Sequence, residues 1–182
     1  MQAIAGVALS AALLLVGSGA AKLANPGPAA QLLAALRLPG WRRLPQRATV
    51  RAGAVGEVVV GAALIGVGDR VAAIALAACY LVFTAVVLAS LARGSRRSCG
   101  CFGSADAPLG RAHLVVDLLA AAAAIALAAK PAGAFGGLSG LHGVAAPVLA
   151  VQVLLLSWLG YLAITALPSL AATRRRVLDG AA

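Results

Sequence analysis

Apolar residues are concentrated in five long stretches that short polar segments separate. The stretches run approximately from Ile4 to Leu23, Ala48 to Val67, Val71 to Leu91, Ala112 to Ala129 and Val144 to Leu170. Each is close to the length of about 20 residues that a helix needs to cross a bilayer. The pattern predicts an all-α fold, a polytopic membrane helix bundle in which residues 1–182 form a single integral membrane domain.

The first stretch has two interpretations. An N-terminal hydrophobic segment that ends in small residues can be a cleaved signal peptide, and the residues from Val16 to Ala21 resemble a cleavage site. However, no cation precedes the apolar run. Cleavage would also place the arginine-rich first loop outside the cell. We therefore expect a retained first helix.

The polar segments differ in character. Pro26 and Pro28 end the first helix, and residues 29–37 read either as a short helix in the membrane interface or as a simple connection. In the helical interpretation, Leu32, Leu33 and Leu36 share one face. The third loop, residues 93–111, is rich in glycine and proline, which favour turns over helix.

Composition and charge agree with a membrane location. Hydrophobic residues make up 62% of the chain and charged residues 11%, whereas charged residues make up about a quarter of a soluble domain. The net charge is +10, and the cations are unevenly distributed: 13 of the 15 fall in the first loop, the third loop and the C-terminal tail. The positive-inside rule then predicts an outside N-terminus and a cytoplasmic C-terminus. This distribution indicates a lipid bilayer as partner and no nucleic acid.

The third loop contains Cys99-Gly100-Cys101-Phe102-Gly103. A disulfide across one intervening residue closes a very small ring, so we expect it to be strained and readily reduced. Arg93, Arg96 and Arg97 lie just upstream, and nearby cations favour the nucleophilic thiolate. Cys99 and Cys101 are therefore a candidate redox pair.

Ionisable residues inside the spans are further candidates, since their cost in lipid favours a functional or paired position. Glu57 lies within the second span, with Gly53 and Gly61 four residues to either side on the same helix face. Small residues there would let a neighbouring helix approach closely. Two roles for Glu57 stay open, proton handling and a buried acid that fixes helix packing by hydrogen bonds.

Lys22, His113 and Asp117 form a candidate polar cluster with Glu57. Asp117 lies one turn after His113, at a comparable depth from the cytoplasmic side. Lys22 ends the first span, where it either snorkels to the surface, the option we slightly favour, or pairs with Glu57. The single-residue cysteine spacing fits a structural zinc site poorly, so we expect no metal.

Cys79 lies inside the third span and reads most simply as a small inert hydrophobe. The sequence has no serine–histidine–acid set, phosphate-binding glycine loop or cofactor fingerprint, so we expect no cofactor.

Three segments in order resemble the methylamine-utilisation protein MauE family, a relative of DoxX-like membrane proteins. They are residues 17–23 followed by Pro26, then Glu57 with Gly61, then the cysteine motif before another hydrophobic helix. The resemblance covers about the first 130 residues, and the cysteine motif is its specific part. It implies a DoxX-like four-helix core, outside which the fifth, C-terminal transmembrane helix lies.

The resemblance also implies a function. Members of this family are expected to support maturation of the small, disulfide-rich subunit of methylamine dehydrogenase, alongside a thioredoxin-like redox protein. The resemblance assigns a functional role to Lys22, Glu57, Cys99 and Cys101. It also implies an exported protein as client. Thirteen arginines against two lysines fit a high-GC bacterial source, so we expect a multi-pass protein of the bacterial cytoplasmic membrane.

The predicted orientation conflicts with this function, because the third loop would face the cytoplasm, where thiols stay reduced. Either electrons cross the membrane, with Cys79 as a relay thiol, or the two loop cysteines are structural. Three hypotheses follow: a thiol-disulfide redox factor for exported proteins, a non-catalytic scaffold that stabilises a partner, or a DoxX-like subunit of a quinone-linked oxidoreductase.

Overall fold

The computed structural model describes residues 2–36, 45–93, 100–102, 109–130 and 145–180. These residues form six α-helices and no strand, which confirms the predicted all-α bundle. The helices are α1 (Gln2–Ala24), α2 (Gly27–Ala35), α3 (Gln46–Gly66), α4 (Arg70–Ala92), α5 (Arg111–Ala128) and α6 (Ala145–Gly180). All except α2 are long and apolar enough to cross a membrane, and each long helix corresponds to one predicted stretch.

The short connection between α3 and α4 sets their relative direction. Helices α3 and α4 are joined through Gly68, which adopts a left-handed backbone with φ of 65°. The next residue, Asp69, caps α4, because its carboxylate accepts a 2.7 Å hydrogen bond from the Ala72 N–H. This satisfies one of the amides that every helix N-terminus leaves exposed. A connection this brief makes α3 and α4 antiparallel neighbours.

Helix α1 lies at the centre of the bundle, in contact with α3, α5 and α6. The largest core cluster is dominated by alanines from α1, α4 and α5, together with Leu15, Leu64, Leu76 and Tyr80. In lipid, the hydrophobic effect contributes little to helix association. Helices associate mainly through close van der Waals packing, which small residues allow. Valines and leucines on α3, α4, α5 and α6 face outward, as a lipid-facing surface requires.

The short segment after Pro26 is helical, as one of its two interpretations predicted, but the helix is Gly27–Ala35. Its apolar face packs on the protein. Leu36 and Leu32 are buried, and Leu32 forms a second small core cluster with Val87 and Leu109. Helix α2 therefore covers one end of the bundle.

Helix α6 is attached to α1 by polar contacts. The Ser10 hydroxyl donates a 3.2 Å hydrogen bond to the Val153 carbonyl, and the Ser157 hydroxyl donates a 3.4 Å bond back to the Ser10 carbonyl. Gly6 lies against the amide end of the Gln152 side chain, which would have to shift to admit a Cβ atom. Helices α1 and α6 are thus closely packed along one face.

Candidate functional site

A buried ion pair joins α1 to α3. The Lys22 ammonium donates to both carboxylate oxygens of Glu57, with distances of 2.6 Å to Oε1 and 2.7 Å to Oε2. The two residues are only 6% and 7% exposed. The preference for a snorkelling Lys22 was therefore wrong, and the paired alternative is the one observed. Burial removes water from both charges, so each needs the other as its partner.

Two further side chains contact this ion pair. The Ser18 hydroxyl donates a 3.3 Å hydrogen bond to Oε2 of Glu57. The Lys22 ammonium lies 4.7 Å from the centre of the Phe83 ring, a cation–π geometry. Phe83 belongs to α4, so three helices meet at the charged pair.

Glycines allow α1 and α3 to approach at this point. A Cβ on Gly19 would lie 2.7 Å from the Ala54 carbonyl oxygen, and one on Gly61 would lie 2.7 Å from that of Ala12. Both distances are too short for real atoms, so only glycine fits. Gly61 thus has the predicted packing role. Gly53 does not, because it is exposed and has open space around it.

Residues 100–102 of the cysteine motif form a turn that rests on α2. Gly100 is buried with φ of 62°, and its Cα side lies against the backbone of Pro28 and Ala29. A Cβ there would meet the Ala29 nitrogen at 2.5 Å. The half-buried Cys101 packs against the α2 cluster that contains Leu32. Cys99 lies outside the described residues.

Phe102 fixes the other side of this turn. Its ring meets the Tyr161 ring of α6 edge to face, with centroids 5.0 Å apart and planes at 81°. Tyr161 in turn stacks on Trp158, with centroids 5.9 Å apart. Phe102 also lies beside Gly17 of α1. The turn is therefore held between α2, α1 and α6.

Tyr80 of α4 links the bundle core to α1. It is buried, and its hydroxyl donates a 2.7 Å hydrogen bond to the Ala11 carbonyl. Its ring meets the Phe83 ring edge to face, with centroids 5.8 Å apart, and Phe83 in turn contacts the Lys22 ammonium. Tyr80 therefore joins α1 and α4 beside the ion pair.

His113 is 2% exposed and lies in the first turn of α5. Its Nδ1 accepts a 3.4 Å hydrogen bond from the Gly110 N–H. An accepting Nδ1 places the proton of a neutral imidazole on Nε2. That atom is buried and has no hydrogen-bond partner among the described residues. Asp117, one turn further along α5, is buried too.

Cys79 and Arg93 occupy less central positions. Cys79 is half-buried, is in no disulfide and packs at the edge of the main core cluster. Arg93 is exposed and donates a 3.2 Å hydrogen bond to the Ala89 carbonyl of its own helix. Arg96 and Arg97 lie outside the described residues. Within the described part of the chain, no three His, Cys, Asp or Glu side chains are grouped as a metal site would require.

Three residues around the ion pair were not selected from the sequence. Ser18 lies four residues before Lys22, so helical spacing could have placed it beside the same carboxylate. Gly19 also precedes Lys22 in the same small-residue segment. Phe83 carried no comparable signal, because an apolar aromatic in an apolar span is ordinary.

The comparisons with known proteins give one match. The family described as "Methylamine utilisation protein MauE" matches residues 1–130, which include α1 to α5 and the cysteine motif. No curated protein and no solved structure matches. Because the match covers more than half of the chain, this multi-pass membrane protein belongs to the MauE family.

Proposed function

We propose that this MauE-family protein supports methylamine utilisation, or more generally the maturation of exported proteins, by thiol-disulfide exchange at Cys99 and Cys101. The partners would be a thioredoxin-like redox protein and an exported client with cysteines. Family membership supplies the methylamine context, while the exchange chemistry is inferred from the cysteine turn.

The position of Cys101 carries this proposal. The residue is half-buried on the protein, and the turn around it is held on both sides by Gly100 and Phe102. A cysteine in thiol exchange needs defined access for a partner sulfur and an environment that controls its charge. Cys101 has partial exposure and packs against the small core cluster that contains Leu32.

The exchange consists of two substitutions at sulfur. One thiolate of the pair attacks the partner's disulfide, a mixed disulfide forms, and the partner's other sulfur leaves as a thiolate that takes up a proton. The second cysteine of the pair then attacks the mixed disulfide, and the remaining partner sulfur leaves and is protonated. Two electrons and two protons pass to the partner, and the pair becomes a disulfide. The reverse sequence would oxidise a client dithiol.

The proposed orientation places the cysteine turn on the cytoplasmic side of a bacterial cytoplasmic membrane. Five spans leave the two termini on opposite faces, and the cations favour a cytoplasmic C-terminus. Electrons for an exported client would then have to cross the membrane. The half-buried Cys79, one helical turn before the Phe83 that contacts Lys22, is the candidate relay thiol in that case.

A scaffold without redox chemistry is the alternative that one observation favours. Lys22 bonds both oxygens of the Glu57 carboxylate and Ser18 adds a third bond, which is the pattern of a residue that fixes helix packing. A quinone-linked subunit receives less support. A cavity of about 480 Å³ between α1 and α6 is lined entirely by apolar side chains such as Leu9, Leu13 and Val153, which offer no hydrogen bond to quinone carbonyls.

Trapping of a partner tests the redox function. With Cys99→Ser or Cys101→Ser, the remaining thiol should hold a partner as a mixed disulfide, visible on non-reducing gels and lost on reduction. Cys79→Ser is the matched control for cysteine number. Growth on methylamine should fail in the double-serine variant. Absence of any trapped species together with normal growth of that variant would leave the scaffold as the better explanation.

Sidedness needs a separate measurement. A membrane-impermeant maleimide should label Cys99 and Cys101 only after cells are permeabilised. Labelling of intact cells would reverse the proposed orientation, and would remove the need for electrons to cross the membrane.

A further inference from the structure

Helix α6 lies beyond the residues that the family match covers, yet it contacts the cysteine turn. The match ends at residue 130, and α6 begins at Ala145. The contact is between Tyr161 of α6 and Phe102, the residue that follows Cys101 in the chain.

We propose that Tyr161 is a positioning residue, which sets the exposure and reactivity of Cys101 by holding the ring of Phe102. The inference about exposure stands on the geometry of the turn; its importance for exchange rests on the proposed function.

The aromatic contact has the geometry of an attractive pair. Rings at 81° with centroids 5.0 Å apart place the positive edge of one ring on the negative face of the other. Stacking on Trp158 restrains Tyr161. Trp158 itself is 60% exposed, so Tyr161 stands between a lipid-facing side chain and the turn.

The position of α6 is fixed independently of this contact. Ser10 and Ser157 form hydrogen bonds between α1 and α6 further along the helices. Gly160 meets Leu14 of α1 so closely that a Cβ would lie 2.9 Å from that side chain. Tyr161 therefore presents its ring from a rigid support, and loss of the ring should not detach the helix.

The mechanical link to Cys101 is short. Phe102 and Cys101 share a peptide bond, and Gly100 on the other side of Cys101 is wedged against α2. With both neighbours fixed, the thiol has little freedom to move. With Phe102 released, Cys101 would lose one of its restraints while its packing on the cluster that contains Leu32 remains, and the half-buried thiol would become more exposed.

The test measures the labelling rate of Cys101 by a maleimide. The full chain is purified in detergent with Cys79→Ser and Cys99→Ser, so that Cys101 is the only thiol. Tyr161→Leu removes the ring, and Tyr161→Phe retains it. Leu159→Ala, a 59% exposed position on the same helix, controls for a general change in α6. Rates are compared across pH, because greater exposure multiplies the rate at every pH by the same factor.

We expect Tyr161→Leu to label about two- to tenfold faster, the factor that an aromatic pair of this kind supports. Tyr161→Phe and Leu159→Ala should label at the parental rate. Should Tyr161→Leu fail to fold, Phe102→Leu tests the same contact from the other side. In the double variant, the second change should add nothing to the first.

A parental labelling rate in folded Tyr161→Leu and Phe102→Leu would overturn the inference. Equal acceleration by Tyr161→Phe would do so as well, since the ring would then be irrelevant. Labelling requires no partner protein, so this result is independent of the trapping experiment. Failure of trapping with the expected labelling would refute the redox function and leave the positioning role standing.

Discussion

Removal of the Lys22 ammonium should destabilise the bundle through the carboxylate that it leaves behind. In Lys22→Met, Glu57 loses two hydrogen bonds of 2.6 and 2.7 Å at a site where both residues are almost fully buried. The remaining Ser18 bond is long, at 3.3 Å, and carries no positive charge. Loss of one partner from a buried pair typically costs about 3–5 kcal/mol of folding free energy. We expect a loss in this range.

The same reasoning predicts that a second change rescues the first. Lys22→Met combined with Glu57→Leu removes both charges and keeps apolar volume at the junction of α1, α3 and α4. Replacement of a buried pair by apolar groups is often close to neutral, so the double variant should recover most of the lost stability. Gly19 stays in place, so the close approach of α1 and α3 is unchanged.

The assay is a double-mutant cycle on purified protein, with unfolding by denaturant in detergent micelles followed by far-UV circular dichroism. Ser18→Ala serves as a control that removes one hydrogen bond without stranding a charge; its loss should be about 0.5–1.5 kcal/mol. The argument fails if Lys22→Met costs no more than Ser18→Ala, or if the double variant loses the sum of the two single losses.

Four shorter predictions concern single residues. Glu57→Gln should insert normally but leaves the buried Lys22 ammonium without its carboxylate, so the free energy of unfolding should fall by about 3–5 kcal/mol in denaturant; parental stability would show that the pair does not stabilise the bundle. Gly61→Ala should cost about 1–3 kcal/mol in denaturant unfolding by overpacking, whereas Gly53→Ala, with open space, should cost nothing; equal effects would refute the close approach. Gly100→Ala should speed maleimide labelling of Cys101, because it forces the turn off α2; Gly110→Ala, unobstructed, should not. His113→Leu removes the acceptor of the Gly110 N–H together with the unpartnered Nε2, so the free energy of unfolding should fall by no more than about 0.5–1.5 kcal/mol, the value of one ordinary hydrogen bond; a loss of about 3 kcal/mol or more would mean that Nε2 has a partner.

The contacts of some residues could be predicted from the sequence, and those of others could not. Glu57 was identifiable as important because an acid inside an apolar span is costly wherever it lies. Its partner was not, since Lys22 is 35 residues away and its charge could be satisfied by snorkelling, the option that the sequence favoured, as well as by pairing. Gly53 and Gly61 looked equivalent by spacing, yet only Gly61 faces α1. Which side of a helix meets a neighbour depends on the rotation of both helices.

The sequence by itself determined the five spans, the turn-forming character of the cysteine motif and the family. A helix in lipid must satisfy its backbone hydrogen bonds internally, so span length and composition suffice to define it, without knowledge of its neighbours. Only the tertiary structure decided which side chains meet. The contacts of Lys22 with Glu57, and of Phe102 with Tyr161, join helices far apart in the chain. Both depend on the relative depth of packed helices, which close contacts at Gly19 and Gly160 fix in space.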